Sequence, residues 1–409
     1  MTAAPPPGRT GTVLALGTAQ TLAWASSYYL PAMLAAPMAR ELGVATPTVF
    51  AAFSMALIVS ALVGPLAGRL IDHHGGRPVL LGTNLLFALG LAALGSAQGP
   101  ATLVVAWLLL GLAMGAGLYE AAFAALVRLY GVDSRNAITG ITLLAGFAST
   151  VGWPLSAWLE VQLGWRGACF VWAGLHLVLG LPLNAMLPRP AAAPVSAPVA
   201  TAVSAANPVA GTAAVPAMTP PPPYTAALLS LVFTLVWFVS TGMAAHLPTL
   251  MQAAGGTLAL AVAVGALVGP AQVAGRLFEF SLLRRVSPLA VARAATLGHP
   301  VGALLLWSVG VPAAAAFAIL HGLGNGILTI AKGTLPLALF GAGGYGARQG
   351  WIALPGRALQ GLAPWLFGLA LERWGAGALG LSAACSLAAC AGLLCLRLPR
   401  AAPARATVS

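Results

Sequence analysis

Ala61-Leu62-Val63-Gly64-Pro65, followed by Ala67-Gly68-Arg69-Leu70 and then Asp72, returns later in the chain as Ala266-Leu267-Val268-Gly269-Pro270, followed by Ala274-Gly275-Arg276-Leu277 and then Glu279. The two copies lie about 205 residues apart, half of the 409-residue chain, and the second is stretched by two residues between its blocks. An acid stands three positions after the arginine each time. Such a repeat in an apolar chain implies a duplicated bundle whose working site lies between the halves.

Composition points the same way. The chain is 59% hydrophobic and only 6% charged, whereas a soluble surface needs roughly 25–35% charged residues. A membrane-spanning helix needs about 20 apolar residues. Twelve stretches qualify, near 11–38, 48–71, 78–98, 101–129, 137–160, 164–187, 224–254, 257–283, 288–309, 312–340, 347–371 and 375–396. The expected fold is therefore an all-α membrane protein with twelve transmembrane helices in two pseudo-symmetric six-helix bundles, residues 1–187 and 224–409. Residues 188–223 are rich in Ala, Pro, Val and Thr, end in four prolines and lack helical periodicity. They read as a cytoplasmic linker.

The net charge of +12 is distributed as a topology signal and does not form a nucleic-acid patch. Most arginines fall in alternate loops on one side, while Arg40, Arg166 and Arg373 fall on the other. The positive-inside rule makes the first side cytoplasmic, with both termini inside and the protein multi-pass in the cell membrane. The first segment is too long for a signal-peptide core and is expected to stay as helix one. Cys169, Cys385, Cys390 and Cys395 all sit in predicted spans, and the last three wind around one helix. They imply packing, with neither a metal site nor a disulfide framework. No nucleophile or metal-ligand motif of an intramembrane enzyme is present, and no cofactor is implied.

The stretch Gly64-Pro65-Leu66-Ala67-Gly68-Arg69-Leu70-Ile71-Asp72-His73-His74-Gly75-Gly76-Arg77 resembles the signature between helices two and three of the major facilitator superfamily. The six-plus-six layout matches over nearly the whole chain. The spacing Gly-x-x-x-Gly-Arg-x-x-Asp departs from that signature's commonest form, and is similar to the branch of monocarboxylate carriers and oxalate/formate exchangers. The resemblance implies a solute carrier that rocks its halves around a central cavity.

The motif also has a direct physical reading. Gly64 and Gly68 form a smooth face for a neighbouring helix. Asp72 ends the helix beside the basic turn His73-His74-Gly75-Gly76-Arg77, where its carboxylate can pair with an arginine or cap a neighbouring helix. Gly64, Gly68, Arg69, Asp72, Gly75 and Arg77, with Arg276 and Glu279 in the second copy, are the expected conformational latch. A static loop anchor is the alternative.

Charges inside the spans single out chemistry. Of the seven acids, only Glu120 lies deep in a predicted span. Lys332, the only lysine, and Arg357 lie within helices ten and eleven at comparable depth. A mid-membrane charge costs at least about 2.5–3.5 kcal/mol, so it is paired, faces a cavity or functions. Two cations against one acid favour a small anionic substrate by Coulomb attraction. Glu120 would then carry a proton or compete with substrate for the cations, and a purely structural bridge is the alternative. Tyr28, His246, His321, Asn325 and Gln360 are further substrate or proton contacts, with His246 and His321 expected to face each other. The leading expectation is a monomeric secondary transporter of a small organic anion, driven by protons or exchange. A proton-coupled exporter of amphipathic or cationic compounds is the runner-up, and a transporter-fold receptor or scaffold is the non-transport alternative.

Overall fold

A computed structural model describes residues 8–188 and 221–398. Almost all of the 188–223 stretch therefore lies outside the described residues. Among the described residues, seven helical runs are long and apolar enough to cross a membrane, and two of them, Pro100–Ala185 with 86 residues and Tyr345–Cys395 with 51, exceed one crossing. At 1.5 Å per residue a single crossing uses up about 20 residues, so these runs must turn back, and they do.

In the first half, α1 (Arg9–Ser26) and α2 (Leu30–Glu41) form a first span broken at 27–29. Helices α3 (Thr46–His74) and α4 (Gly76–Gly95) form the next two. The fourth span is α5 (Pro100–Gly117) and α6 (Tyr119–Tyr130), interrupted at Leu118, whose backbone is extended (φ −87°, ψ −164°). The fifth begins as α7 (Arg135–Ala145) and continues in α8 (Ala148–Leu175). That helix reverses at Gly164, where φ of +69° suits a residue without a Cβ, and the sixth span ends in α9 (Leu181–Ala185).

The second half is built from longer, unbroken helices: α10 (Thr225–Ala253), α11 (Leu258–Ser281), α12 (Pro288–Val309), α13 (Ala314–Phe340), α14 (Tyr345–Trp374) and α15 (Ala378–Cys395). Two of them, α11 and α12, start with a side-chain cap. The hydroxyls of Thr257 and Ser287 accept from the amides of Leu260 and Ala290, each at 3.2 Å.

Small residues bring the helices close within each half, and the two halves do this alike. A Cβ on Gly111 of α5 would lie 2.6 Å from the Ala56 carbonyl of α3. One on Gly275 of α11 would lie 2.5 Å from the Leu323 carbonyl of α13. Both distances are shorter than atoms tolerate, so only glycine permits these contacts. Each half also buries a polar knot. In the first, His176 bonds Ser26 at 2.8 Å and Asn84 at 2.9 Å, with Phe87 stacked on its ring. In the second, His299 bonds His321 at 3.0 Å and Ser382 at 2.9 Å.

Candidate functional site

Glu120 is in the first turn of α6, just past the break in the fourth span. It is thus not in the middle of a continuous helix, as its depth in the apolar run suggests. Gln20 of α1 donates to the Gly117 carbonyl at 2.7 Å, satisfying an acceptor that the break at Leu118 frees. Across the seam between the halves, the Arg357 guanidinium of α14 donates to the Glu120 carboxylate. Their side chains are 7% and 15% exposed, so the pair is largely removed from solvent.

Lys332 on α13 is buried, and its ammonium lies over the Trp237 indole, 4.5 Å from the ring centre. The Arg357 guanidinium lies 5.9 Å from a Trp237 ring centre as well. Glu120, Arg357 and Arg276 are the charged neighbours that Lys332 feels. The structure thus gathers Lys332 and Arg357 around one tryptophan that hydropathy alone did not mark, with Glu120 paired to Arg357. Beside them a cavity of about 220 Å³ opens between the halves, lined by Ser60, Gly64, Gly115, Glu120, Gly350 and Arg357 among others. The Gln360 amide of α14 donates to the Tyr28 hydroxyl at 3.1 Å, a second bond across the seam. Tyr28 belongs to an aromatic cluster with Trp24, Tyr29 and Phe53, and Trp24 also meets Tyr119.

Three expected contacts fall elsewhere. His246 does not face His321: its Nε2 meets the carbonyl of Pro364, a proline inside α14, at 2.7 Å. His321 instead pairs with His299 inside the second bundle. Asn325, one turn along α13 from His321, lines a separate cavity of about 310 Å³ with His299, His321, Thr296, Ser240 and Ser386. That cavity lies among α10, α12, α13 and α15, so Asn325 stands apart from the Glu120 cavity.

At the end of the molecule bearing the helix α1 start, two seams join the halves. The Asp72 carboxylate at the end of α3 accepts from the backbone amides of Gly346 and Ala347, both at 2.9 Å, and so caps the start of α14. Its partners are amides, and neither is Arg77 of the following turn. Gly68 lies against the Gly346 carbonyl, where a Cβ would collide, and a Cβ on Gly350 would lie 2.5 Å from the Pro65 backbone. Arg69 is exposed and lies over Trp351 at 5.8 Å. Gly75 ends α3 with φ of +83°.

In the second copy Glu279 is buried. It accepts from Arg135 at 2.8 Å and from the Thr139 hydroxyl at 3.2 Å, both on α7. Arg276 is only 7% exposed and donates to the Thr142 carbonyl of α7 at 3.2 Å. It is therefore not a loop charge at the cytoplasmic surface, because its side chain turns inward to the last turn of α7.

Twelve spans, two halves with matched glycine contacts and a charged pair across the seam leave one family in view, and the sequence agrees. A profile described as Major Facilitator Superfamily matches residues 16–306. The chain belongs to that superfamily. Members of that superfamily are transporters and not enzymes, and the chain is a multi-pass membrane protein. It is 32% identical over 159 residues to an "Uncharacterized 38 kDa protein in 23S RNA operon" of Thermoproteus tenax, a match covering 39% of this chain and 41% of that protein. It is 30% identical over 150 residues to "Multidrug resistance protein MdtH" of Aeromonas hydrophila, covering 36% and 37%. The chain thus matches about two fifths of the length of these relatives. Its fold is similar to the human organic anion transporter MFSD10 (TETRAN), with a TM-score of 0.67 at 17% identity, over 95% of this chain and 100% of that one. It is also similar to FucP in the outward conformation, with a TM-score of 0.65 at 14% identity, over 93% and 97%.

Proposed function

We propose that this facilitator moves a small organic anion by alternating access, with Arg357 and Lys332 as the cations that hold it. One observation carries the reading. The Glu120 carboxylate comes from the first half, while the guanidinium it occupies comes from the second, so the pair must part whenever the halves part there. Glu120 then behaves as a resident stand-in for a substrate carboxylate, and the surplus of cations around it favours negative solutes. Coupling follows either from exchange of one anion for another or from a proton taken by Glu120 once Arg357 is occupied. Membrane location, cytoplasmic termini, a tethering role for 188–223 and a monomeric carrier complete the proposal, supported by the arginine asymmetry and the linker composition.

A second reading has its own support. Tyr119, the residue before Glu120, packs against the rings of Trp24 and Phe123, an aromatic setting that suits a cationic or amphipathic solute exported against protons, and a relative carries the name multidrug resistance protein. Thermal-shift titration of the purified protein with small carboxylates and with lipophilic cations separates the two. The anion reading expects carboxylates to stabilise the wild type, and Arg357→Gln or Lys332→Gln to weaken that effect at least tenfold. Stabilisation by cations alone, abolished by Glu120→Gln and untouched by Lys332→Gln, would sink it.

A further inference from the structure

Lys332 presents a physical problem that the Glu120–Arg357 pair does not solve. The residue is 8% exposed, and among the described residues no carboxylate, carbonyl or hydroxyl accepts a hydrogen bond from its ammonium. Its nearest charged company is one acid, already engaged, and two further cations. Buried like charges repel strongly where water is excluded. What the ammonium does have is the face of Trp237 at 4.5 Å, the side chain best suited to attract a cation through its ring quadrupole.

The ring is fixed in place on several sides. Phe233, one turn before it on α10, meets it edge-on at 6.3 Å. Gly356 of α14 lies so close that a Cβ there would strike the indole. That glycine sets the next residue, Arg357, beside the same ring at 5.9 Å. Three helices, α10, α13 and α14, thus converge on one indole carrying two cations.

We propose that Trp237 is a positioning residue of the central site, whose indole stands in for a counter-anion to Lys332 and Arg357 while the carrier is empty and releases them to an arriving anion. The release step rests on the anion reading above. The empty-state role does not.

A stability cycle tests the inference on the full-length protein in detergent. Trp237→Leu removes both volume and ring, whereas Trp237→Phe keeps a weaker quadrupole. The leucine variant should melt roughly 2–4 °C below the phenylalanine variant. Adding Lys332→Met to the leucine variant should recover most of that gap, because the charge that lost its partner is gone. A purely packing role predicts instead that Lys332→Met raises the melting temperature no more in the leucine variant than in the wild-type background. Equal melting of Trp237→Leu with and without Lys332→Met would overturn the proposal.

Succinate at saturating concentration supplies the second arm. It should raise the melting temperature of Trp237→Leu more than that of wild type, since the anion replaces what the ring supplied. If the cycle shows recovery while no carboxylate shifts any variant, the indole role stands and the anion reading fails. If carboxylates stabilise every variant equally and the cycle shows no recovery, the anion reading stands and the indole role fails.

Discussion

Asp72 and Glu279 hold the same place in the two copies of the repeat, yet the first carboxylate reaches backbone amides and the second reaches side chains. The α3–α14 seam is shape and direction: glycine against glycine, with a carboxylate on the open end of a helix. The α11–α7 seam is ionic, with Arg135 also donating to the Val286 carbonyl at 2.9 Å. Equivalent positions in a duplicated chain can thus make the same connection by different physics. The first seam cannot accept side-chain bulk. The second can accept exchanged partners.

The largest effect is expected from bulk in the first seam. Gly68→Val should lower transport at least tenfold while the protein still inserts and binds ligand, because a side chain there must push α14 away. Transport assays in proteoliposomes, with expression followed in parallel, would show it; near-normal turnover would mean that the seam yields easily and the contrast is false. Asp72→Asn should have a smaller but clear effect. A bias of about 1 kcal/mol on a balanced two-state carrier shifts populations several-fold, so turnover should fall by a similar factor with expression intact. Unchanged turnover would leave Asp72 as a static anchor.

Charge exchange sharpens the comparison further. Arg135→Glu and Glu279→Arg should each impair transport about as much as Asp72→Asn, and the double variant should recover at least half of the loss. No exchange can rescue Asp72, since its partners are amides. Failure of the swap would show that the second seam is also bound by shape.

The smallest effect lies at the opposite end, within one half. Glu41 accepts from Arg166 at 2.7 Å and from the Trp165 indole at 2.5 Å. The arginine bond holds the Glu41 carboxyl below its ordinary range. A group with a lowered folded pKa contributes stability above its unfolded pKa, near 4.3, and loses it as pH falls through the folded value. Glu41→Gln should therefore remove only the slight fraction of an exposed ion pair at neutral pH. It should leave transport unchanged and flatten the melting curve's decline below about pH 4. A transport defect in this variant would tie the outer end to the cycle.

Hydropathy and the repeat made the twelve spans and the family readable, since both depend on composition along the chain. The isolated charges Glu120, Lys332 and Arg357 were readable for the same reason, and the structure places them together. What hydropathy does not encode is the face a residue presents. Trp237 sits in an apolar run and looks like any lipid-facing ring, yet three helices meet on it. Arg276 mirrors Arg69 in the motif, but one side chain is buried and the other exposed. His246 and His321 share an approximate depth and still point to different neighbours. The break at Leu118 left little trace beyond the small residues before it, Gly115 and Gly117.

That break has a consequence for the moment when the halves separate. Glu120 sits on the first turn of α6, where unpaired amides and the helix macrodipole place about half a positive charge. The carboxylate carries this compensation with it, because α6 belongs to the same half. Arg357 keeps only the face of Trp237, 5.9 Å away in the same half, since it lies in the interior of α14 away from any helix end. Separation is thus lopsided, leaving a comfortable acid on one wall and an electrostatically hungry guanidinium on the other. On the anion reading proposed above, the vacancy that recruits the next solute is made by where a helix was cut.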